Sequence, residues 1–210
     1  MRKGNFVIAL IFFNASAMAE VTPSDKQVLA IVPQPAQICV SCHGVAGEGI
    51  EPVGPRLAGL SHEYISQQIH HFLSGNRQNA SMGPMAMTLQ GDDAINTVAD
   101  YFSSHAVKAN VTPVLRGQNL VYDEPAAQLA FQGDWSRDLP ACVTCHGPSG
   151  IGGGPFPRLA GQQAGYIKTQ LLAWQAGTRK GDADGMMGNV ANKLTAAEID
   201  ALSQYFANLK

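Results

Sequence analysis

Two short strings could carry chemistry: CVSCHG at Cys39 to Gly44 and CVTCHG at Cys142 to Gly147. Each sets two cysteines three positions apart with a histidine directly after the second, and together they use all four cysteines of the chain. On a helical turn this spacing lets both thiols reach the vinyl groups of a haem as thioethers, with the next residue, His43 or His146, beneath the iron. Three other chemistries use similar residues. A four-cysteine zinc site would need the pairs to meet in space and has no use for a histidine after each. Disulfides suit an exported chain, but a bridge across two residues closes a very small ring and leaves the histidines without a reason. A thioredoxin-like dithiol needs alternating strands and helices, a pattern absent here. Two covalently bound haem c groups are therefore expected, on Cys39 and Cys42 and on Cys142 and Cys145.

What fills the other axial position separates electron carriers from haem enzymes. Of the seven methionines, two lie near the N-terminus and five fall in SMGPMAMTL and MMGNVANKL. Aligning these stretches on Leu89 and Leu194 matches Met82 with Met187, each followed by glycine, while Met85, Met87 and Met186 have no methionine opposite. Met82 and Met187 are the expected distal ligands, with Met85 the rival to Met82; the unmatched methionines suit the apolar lining of a pocket. Histidine is the other option, but His62, His70, His71 and His105 all lie in the first half, where His70 and His71 read as surface residues of a helix, and the second half has none beyond His146. After each motif a glycine-rich loop runs to Pro55 or Pro157, whose carbonyl could accept from the imidazole and raise its basicity. Arg56 and Arg158 follow, either to pair with haem propionates or to lie exposed at the loop edge.

The elements that must position these residues come in duplicate. The cysteines coincide at a shift of 103, and PRLAG with Tyr64/Tyr166, Gln68/Gln170, Gly75/Gly177 and Arg77/Arg179 coincides at 102. The endings Tyr101-Phe102 and Tyr205-Phe206 coincide at 104. Such agreement marks an internal repeat. Each copy carries a middle helix with apolar residues at helical spacing, Ile65, Ile69, Phe72 and Leu73 or Ile167, Leu171 and Trp174, stopped by Gly75 or Gly177. A last helix follows, with Asp92 as the expected cap in the first copy and a Thr195 to Glu198 capping box in the second. Its buried stripe is Ile95, Val98 and Phe102, or Ile199, Leu202, Phe206 and Leu209. Pro125 opens a further helix through Ala130. The fold class is all-α, in two tandem domains with long irregular loops: residues 20–105 and 124–210, joined by a linker at 106–123 that holds Pro113 and Gly117.

Residues 1–19 have Arg2 and Lys3, an apolar run from Phe6 to Phe13 and an Ala17-Met18-Ala19 ending, the pattern of a signal peptide cleaved after Ala19. The run is too short to span a membrane and no later stretch approaches the required length, so a soluble periplasmic protein is expected, peripheral membrane association aside. Loss of the leader takes 14 basic against 16 acidic residues to 12 against 16. That acidic balance speaks against nucleic acid as partner.

The strings CVSCHGVAGEG, PRLAG and MGPMAMTLQGDDAINTVADYFSSH, with LPACVTCHGPSGIGGG, FPRLAGQQAGYI and MMGNVANKLTAAEIDALSQYF, resemble the dihaem cytochromes c of the cytochrome c4 type, built from two class I cytochrome c domains. Pro33 and Pro35 stand where that family's first helix usually has a glycine before an aromatic. The resemblance implies His/Met ligation of each haem, His43 with Met82 and His146 with Met187. It also implies transfer of single electrons between redox proteins, a quinol–cytochrome c reductase or dehydrogenase on one side and a terminal oxidase or other acceptor on the other. A dedicated acceptor or cytochrome subunit of one periplasmic dehydrogenase is the alternative. A dihaem peroxidase is less suited, since both copies offer a methionine and no distal acid–base group is evident. The protein is expected not to be an enzyme.

Overall fold

The computed structural model describes residues 30–107 and 122–209. The expected leader and linker positions 108–121 lie outside the described residues. The first half forms α1 (Gln34–His43), α2 (His62–Leu73), α3 (Met82–Met87) and α4 (Gly91–Ser103); the second forms α5 (Pro125–Phe131), α6 (Val143–His146), α7 (Ala164–Gln175), α8 (Met186–Asn192) and α9 (Ala196–Asn208). Three single 3-10 turns add to these, and among the described residues β-structure is confined to isolated bridges.

The prolines ahead of the first motif do not disturb α1. Pro33 is its N-cap and Pro35 sits in its first turn, where the missing N–H has no intrahelical partner to lose. The helix then buries Ala36, Val40 and His43 against α4. Ser61 caps α2 by accepting from the Tyr64 N–H at 3.0 Å. Gly75 and Gly177 lie just past the C-caps of α2 and α7 at φ 75 and 67, a left-handed conformation glycine adopts without strain. The Thr195 to Glu198 capping box is formed in full. Asp92, by contrast, lies inside the first turn of α4; Gln90 is the N-cap, without a side-chain bond. One helical turn of acidic side chains, Asp92 and Asp93, still complements the positive end of the helix.

Two apolar clusters result, one per half. Ile95, Val98, Ala99 and Phe102 of α4 meet Tyr64, Ile65 and Ile69 of α2; Ile199, Leu202 and Phe206 of α9 meet Ile167 and the α5 residues Leu129 and Phe131. Leu73, the last residue of α2 and the end of its stripe, is 41% exposed. Around each centre the loops are tied identically. The Gly47 carbonyl accepts from both Leu57 and Ala58 N–H at 2.8 and 2.9 Å, and the Gly150 carbonyl from Leu159 and Ala160 at 2.8 and 3.0 Å. A Cβ on Gly47 would come within 2.9 Å of the Phe102 ring, and one on Gly150 within 2.9 Å of Phe206. The PRLAG segment is thereby pinned under the haem-motif loop.

Phe102→Ala is expected to lower stability by about 3–5 kcal/mol, whereas Leu73→Ala should stay within about 0.5 kcal/mol; chemical denaturation of the two variants checks the contrast. Arg137 donates to Asp134 and Glu198, each at 2.7 Å. Its hydrogen bond holds the Glu198 carboxyl below the ordinary value, despite the opposing effect of desolvation. A depressed carboxyl contributes stability above its unfolded value and loses it as pH falls through the folded one. Arg137→Ala should therefore remove that contribution at neutral pH and flatten the acid limb of the stability–pH curve.

Candidate functional site

Each motif ends a helix so that its histidine turns inward. His43 closes α1 and His146 closes α6, and both are buried, at 5% and 6% exposure. The backbone behind each is clamped, His43 O accepting from Gly49 N at 2.8 Å and His146 O from Gly152 N at 2.7 Å. In each ring Nδ1 lies 2.8 Å from a proline carbonyl, that of Pro55 or of Pro157. A carbonyl only accepts, so Nδ1 carries the proton and Nε2 keeps its lone pair. Desolvation pushes both imidazoles below their ordinary pKa; the proline carbonyl opposes this, and the charge of Arg77 or Arg179 adds to it. Both histidines are thus neutral, each with its Nε2 left free.

The cysteines belong to separate clusters, Cys39 against the first core and Cys142 against the second, and are not paired as disulfides. Among the described residues no group of three or more His, Cys, Asp or Glu side chains converges as a metal site. Burial pushes the Cys39 thiol up to about 11 and Cys142 up to about 12. Such thiols lack the depressed pKa of a redox-active dithiol.

Next to Cys142, Cys145 and His146 opens a mainly apolar cavity bounded by Pro157, Arg158, Met186, Met187, Val190 and Phe206, and closed from the other half by Leu60, Tyr64, Gln68 and His71 of α2 and the loop before it. Met82 and Met187 are half-buried, whereas Met85 and Met186 are each 38% exposed and Met87 68%. Asn79 Oδ1 accepts from Met82 N at 2.8 Å, and Asp182 accepts from Met187 N, so each of these methionines lies in the first turn of its helix on a side-chain-held backbone. Met186 Sδ lies 3.9 Å from Cys145 Sγ. Arg158 lines the cavity and donates to Ala160 O at 2.9 Å; Arg56 instead reaches across to Gly161 O at 3.1 Å.

The two halves meet on a network whose members appeared in the sequence only as repeat matches. Arg77 Nη2 donates to Tyr166 Oη and Gln170 Oε1, both at 2.7 Å; Arg179 Nη2 donates to Tyr64 Oη at 2.8 Å and Gln68 Oε1 at 3.0 Å. Each guanidinium also bonds the glutamine of its own half and covers an aromatic ring, Phe72 or Trp174. A short antiparallel bridge joins the two arginines' backbones, Gln78 N to Thr178 O at 2.9 Å and Lys180 N to Asn76 O at 2.6 Å. Gln162 adds a two-way bond with the Arg56 backbone, at 3.0 and 2.9 Å. Both arginines are 8% exposed, and among the described residues neither has a carboxylate partner; Arg179 Nε has no hydrogen-bond partner at all. Two buried cations without counter-charge are costly, and an acidic group from a bound cofactor suits the place. Thiol pairs, oriented imidazoles and buried cations recur in both halves and fit a haem in each, and the second half adds the apolar cavity.

A family model for cytochrome c matches residues 36–106 and again 114–210. The chain belongs to the cytochrome c family. Like other tandem cytochrome c chains it resembles, it carries two covalent haem c groups, and its function is one-electron transfer. A thiosulfate dehydrogenase electron acceptor from Thiomonas intermedia is 39% identical over 180 residues, covering 85% of this chain and 81% of that protein. The reduced cytochrome c4 of Pseudomonas stutzeri superposes with a TM-score of 0.71 at 31% identity, covering 88% of this chain and 98% of that one. A thiosulfate dehydrogenase from Marichromatium purpuratum matches with a TM-score of 0.70 at 42% identity over 81% of this chain, which spans 36% of that longer chain.

Arg179→Gln is expected to lower stability by about 2–3 kcal/mol. Because Arg77 shares the network, the double Arg77→Gln, Arg179→Gln variant should cost less than the two singles together; a denaturation double-mutant cycle measures the difference.

Proposed function

We propose that the two irons are held by His43 with Met82 and by His146 with Met187, and that the protein passes electrons in the periplasm without catalysing a reaction of its own. The bound haem supplies a one-electron Fe(III)/Fe(II) couple. The single observation that carries the reading is the duplicated imidazole-to-proline-carbonyl bond, which presents a neutral Nε2 with a free lone pair in each domain. Met82 and Met187 are the methionines matched between copies and half-buried; with the imidazole, the thioether of each would hold the iron and leave it no open site for substrate. Met85 is more exposed than Met82, at 38%. Arg77 and Arg179 offer the buried positive charge that propionates need, Arg158 offers more at the second cavity, and Pro55 and Pro157 fix the rings. Arg56, engaged with Gly161 O, ties the domains together.

Burial of each centre in an apolar cluster keeps the surroundings from rearranging when the charge changes, which suits rapid transfer. With α2 of the first domain forming a wall of the second cavity, the two sites are neighbours, and the crossed arginine network holds that arrangement.

For the partner we favour a dedicated periplasmic dehydrogenase as donor, with a terminal oxidase or similar acceptor downstream. Identity to the thiosulfate dehydrogenase electron acceptor, 39%, exceeds that to the solved cytochrome c4, 31%, and a thiosulfate dehydrogenase chain contains a region of the same fold. A general respiratory shuttle between a quinol–cytochrome c reductase and an oxidase is the second reading, favoured by the match to cytochrome c4 along 98% of its length. Among the described residues no helix is long and apolar enough to cross a membrane.

Met82→Ala and Met187→Ala should each open one iron to carbon monoxide and abolish half of the sulfur-to-iron charge-transfer absorption, while Met85→Ala leaves both unchanged. Carbon monoxide binding by Met85→Ala and not by Met82→Ala would reassign the first ligand. Reduction by a thiosulfate dehydrogenase at a rate far above that by a quinol–cytochrome c reductase would select the dedicated donor.

A further inference from the structure

The near-twofold relation between the domains is broken at one contact on the wall of the second cavity. His71 in α2 has Ala173 as its repeat mate, and the equivalence is structural as well as sequential: Arg77 N donates to His71 O at 2.9 Å, as Arg179 N does to Ala173 O at 3.1 Å. The His71 ring crosses the boundary and packs on Gly181, where an added Cβ would lie 2.6 Å from its Cε1. Gly181 in turn has Asn79 as its mate. Two departures from the repeat thus coincide, a ring where the other copy has a methyl and a glycine that makes room for it. The result is a titratable side chain of the first domain lining the cavity of the second.

We propose that His71 is a proton-linked group that tunes the electron affinity of the second haem and not of the first. The proposal rests on the reading of the second cavity as a haem site. His71 lines the cavity and is half-buried, so solvent can still exchange its ring proton. Four charged or titratable groups act on it: Arg179 and Asp182 from the second domain, Arg77 from the loop after α2, and His70 from its own helix. Burial, then Arg179, Arg77 and His70, hold its pKa below the ordinary histidine value, and Asp182 alone opposes them. His71 is therefore neutral at neutral pH and gains a positive charge on acidification. A cation at the wall favours the reduced state of the neighbouring site, which has one positive charge fewer. The balance is one electron from the donor protein and up to one proton from solvent to a His71 ring nitrogen, both released on oxidation. By reciprocity, reduction must raise the affinity of His71 for its proton. Ala173 gives the first site no such partner.

The test is a set of potentiometric titrations of the full-length holoprotein between about pH 5 and pH 8, followed by NMR with haem methyl signals assigned to each domain through the cluster residues they touch. In the native chain the midpoint of the second site should fall as pH rises through the His71 titration, while the first site changes far less. His71→Ala, which copies the first site's counterpart, and His71→Gln, which keeps size without charge, should both make the second site as flat as the first. The His71 pKa, read from its ring signals, should be higher in the reduced than in the oxidised protein. An unchanged pH response of the second site in both variants, or equal His71 pKa values in the two redox states, overturns the proposal. A haem count below two, or fewer than two one-electron steps, would instead overturn the underlying haem reading.

Discussion

The bond from each histidine Nδ1 to a proline carbonyl is the constraint on which the rest of the structure depends. To bring Pro55 to His43, the loop after CVSCHG must double back within a dozen residues, which is why Gly47 takes both Leu57 and Ala58 on one carbonyl and lies flat against Phe102. The same geometry recurs at Pro157, Gly150 and Phe206. Once the loop is folded this way, PRLAG leads directly into α2 or α7, and those helices carry the tyrosine, glutamine and arginine residues that join the domains. Orientation of one ring thus propagates to the domain boundary.

That boundary is itself an electrostatic device. Tyrosine hydroxyls and glutamine carbonyls neutralise the geometry of two buried guanidinium groups but not their charge. The residual positive field lies beside both centres, close to where acidic groups of the cofactors would be welcome and where added electrons would be stabilised. Arg77 and Arg179 place like charge beside both histidines, so differences between the sites come from other groups, among them those where the repeat is broken. His71 against Ala173 is such a place, at the cavity itself.

Much of this was legible in the sequence because duplication doubles every signal. The paired CxxCH strings, the glycines after α2 and α7, the Thr195 to Glu198 box and the stripe from Ile199 to Phe206 depend on local chemistry or helical period, and the fold keeps them. Asp92 misled because an acidic residue near a helix start serves equally as a cap or as a first-turn charge, and only backbone angles distinguish the two. Leu73 fits the helical period, but a period does not say where the neighbouring surface ends. Arg77, Tyr64, Gln68 and their mates were visible as repeat matches, yet their role depends on contacts about a hundred residues apart. A matched Arg/Tyr/Gln triplet in both copies was the available signal. His71 gave none, since its packing partner Gly181 lies in the other copy.

The central claim, two independent and similarly ligated one-electron centres in one chain, is tested most directly by an optical spectroelectrochemical titration of the native holoprotein with near-infrared detection. The account predicts two one-electron steps at fairly high potentials, with the sulfur-to-iron charge-transfer band present in the oxidised protein at an intensity for two centres and lost in both steps. A single step, or a band for one centre only with the other iron high-spin or ligated by two histidines, would contradict it.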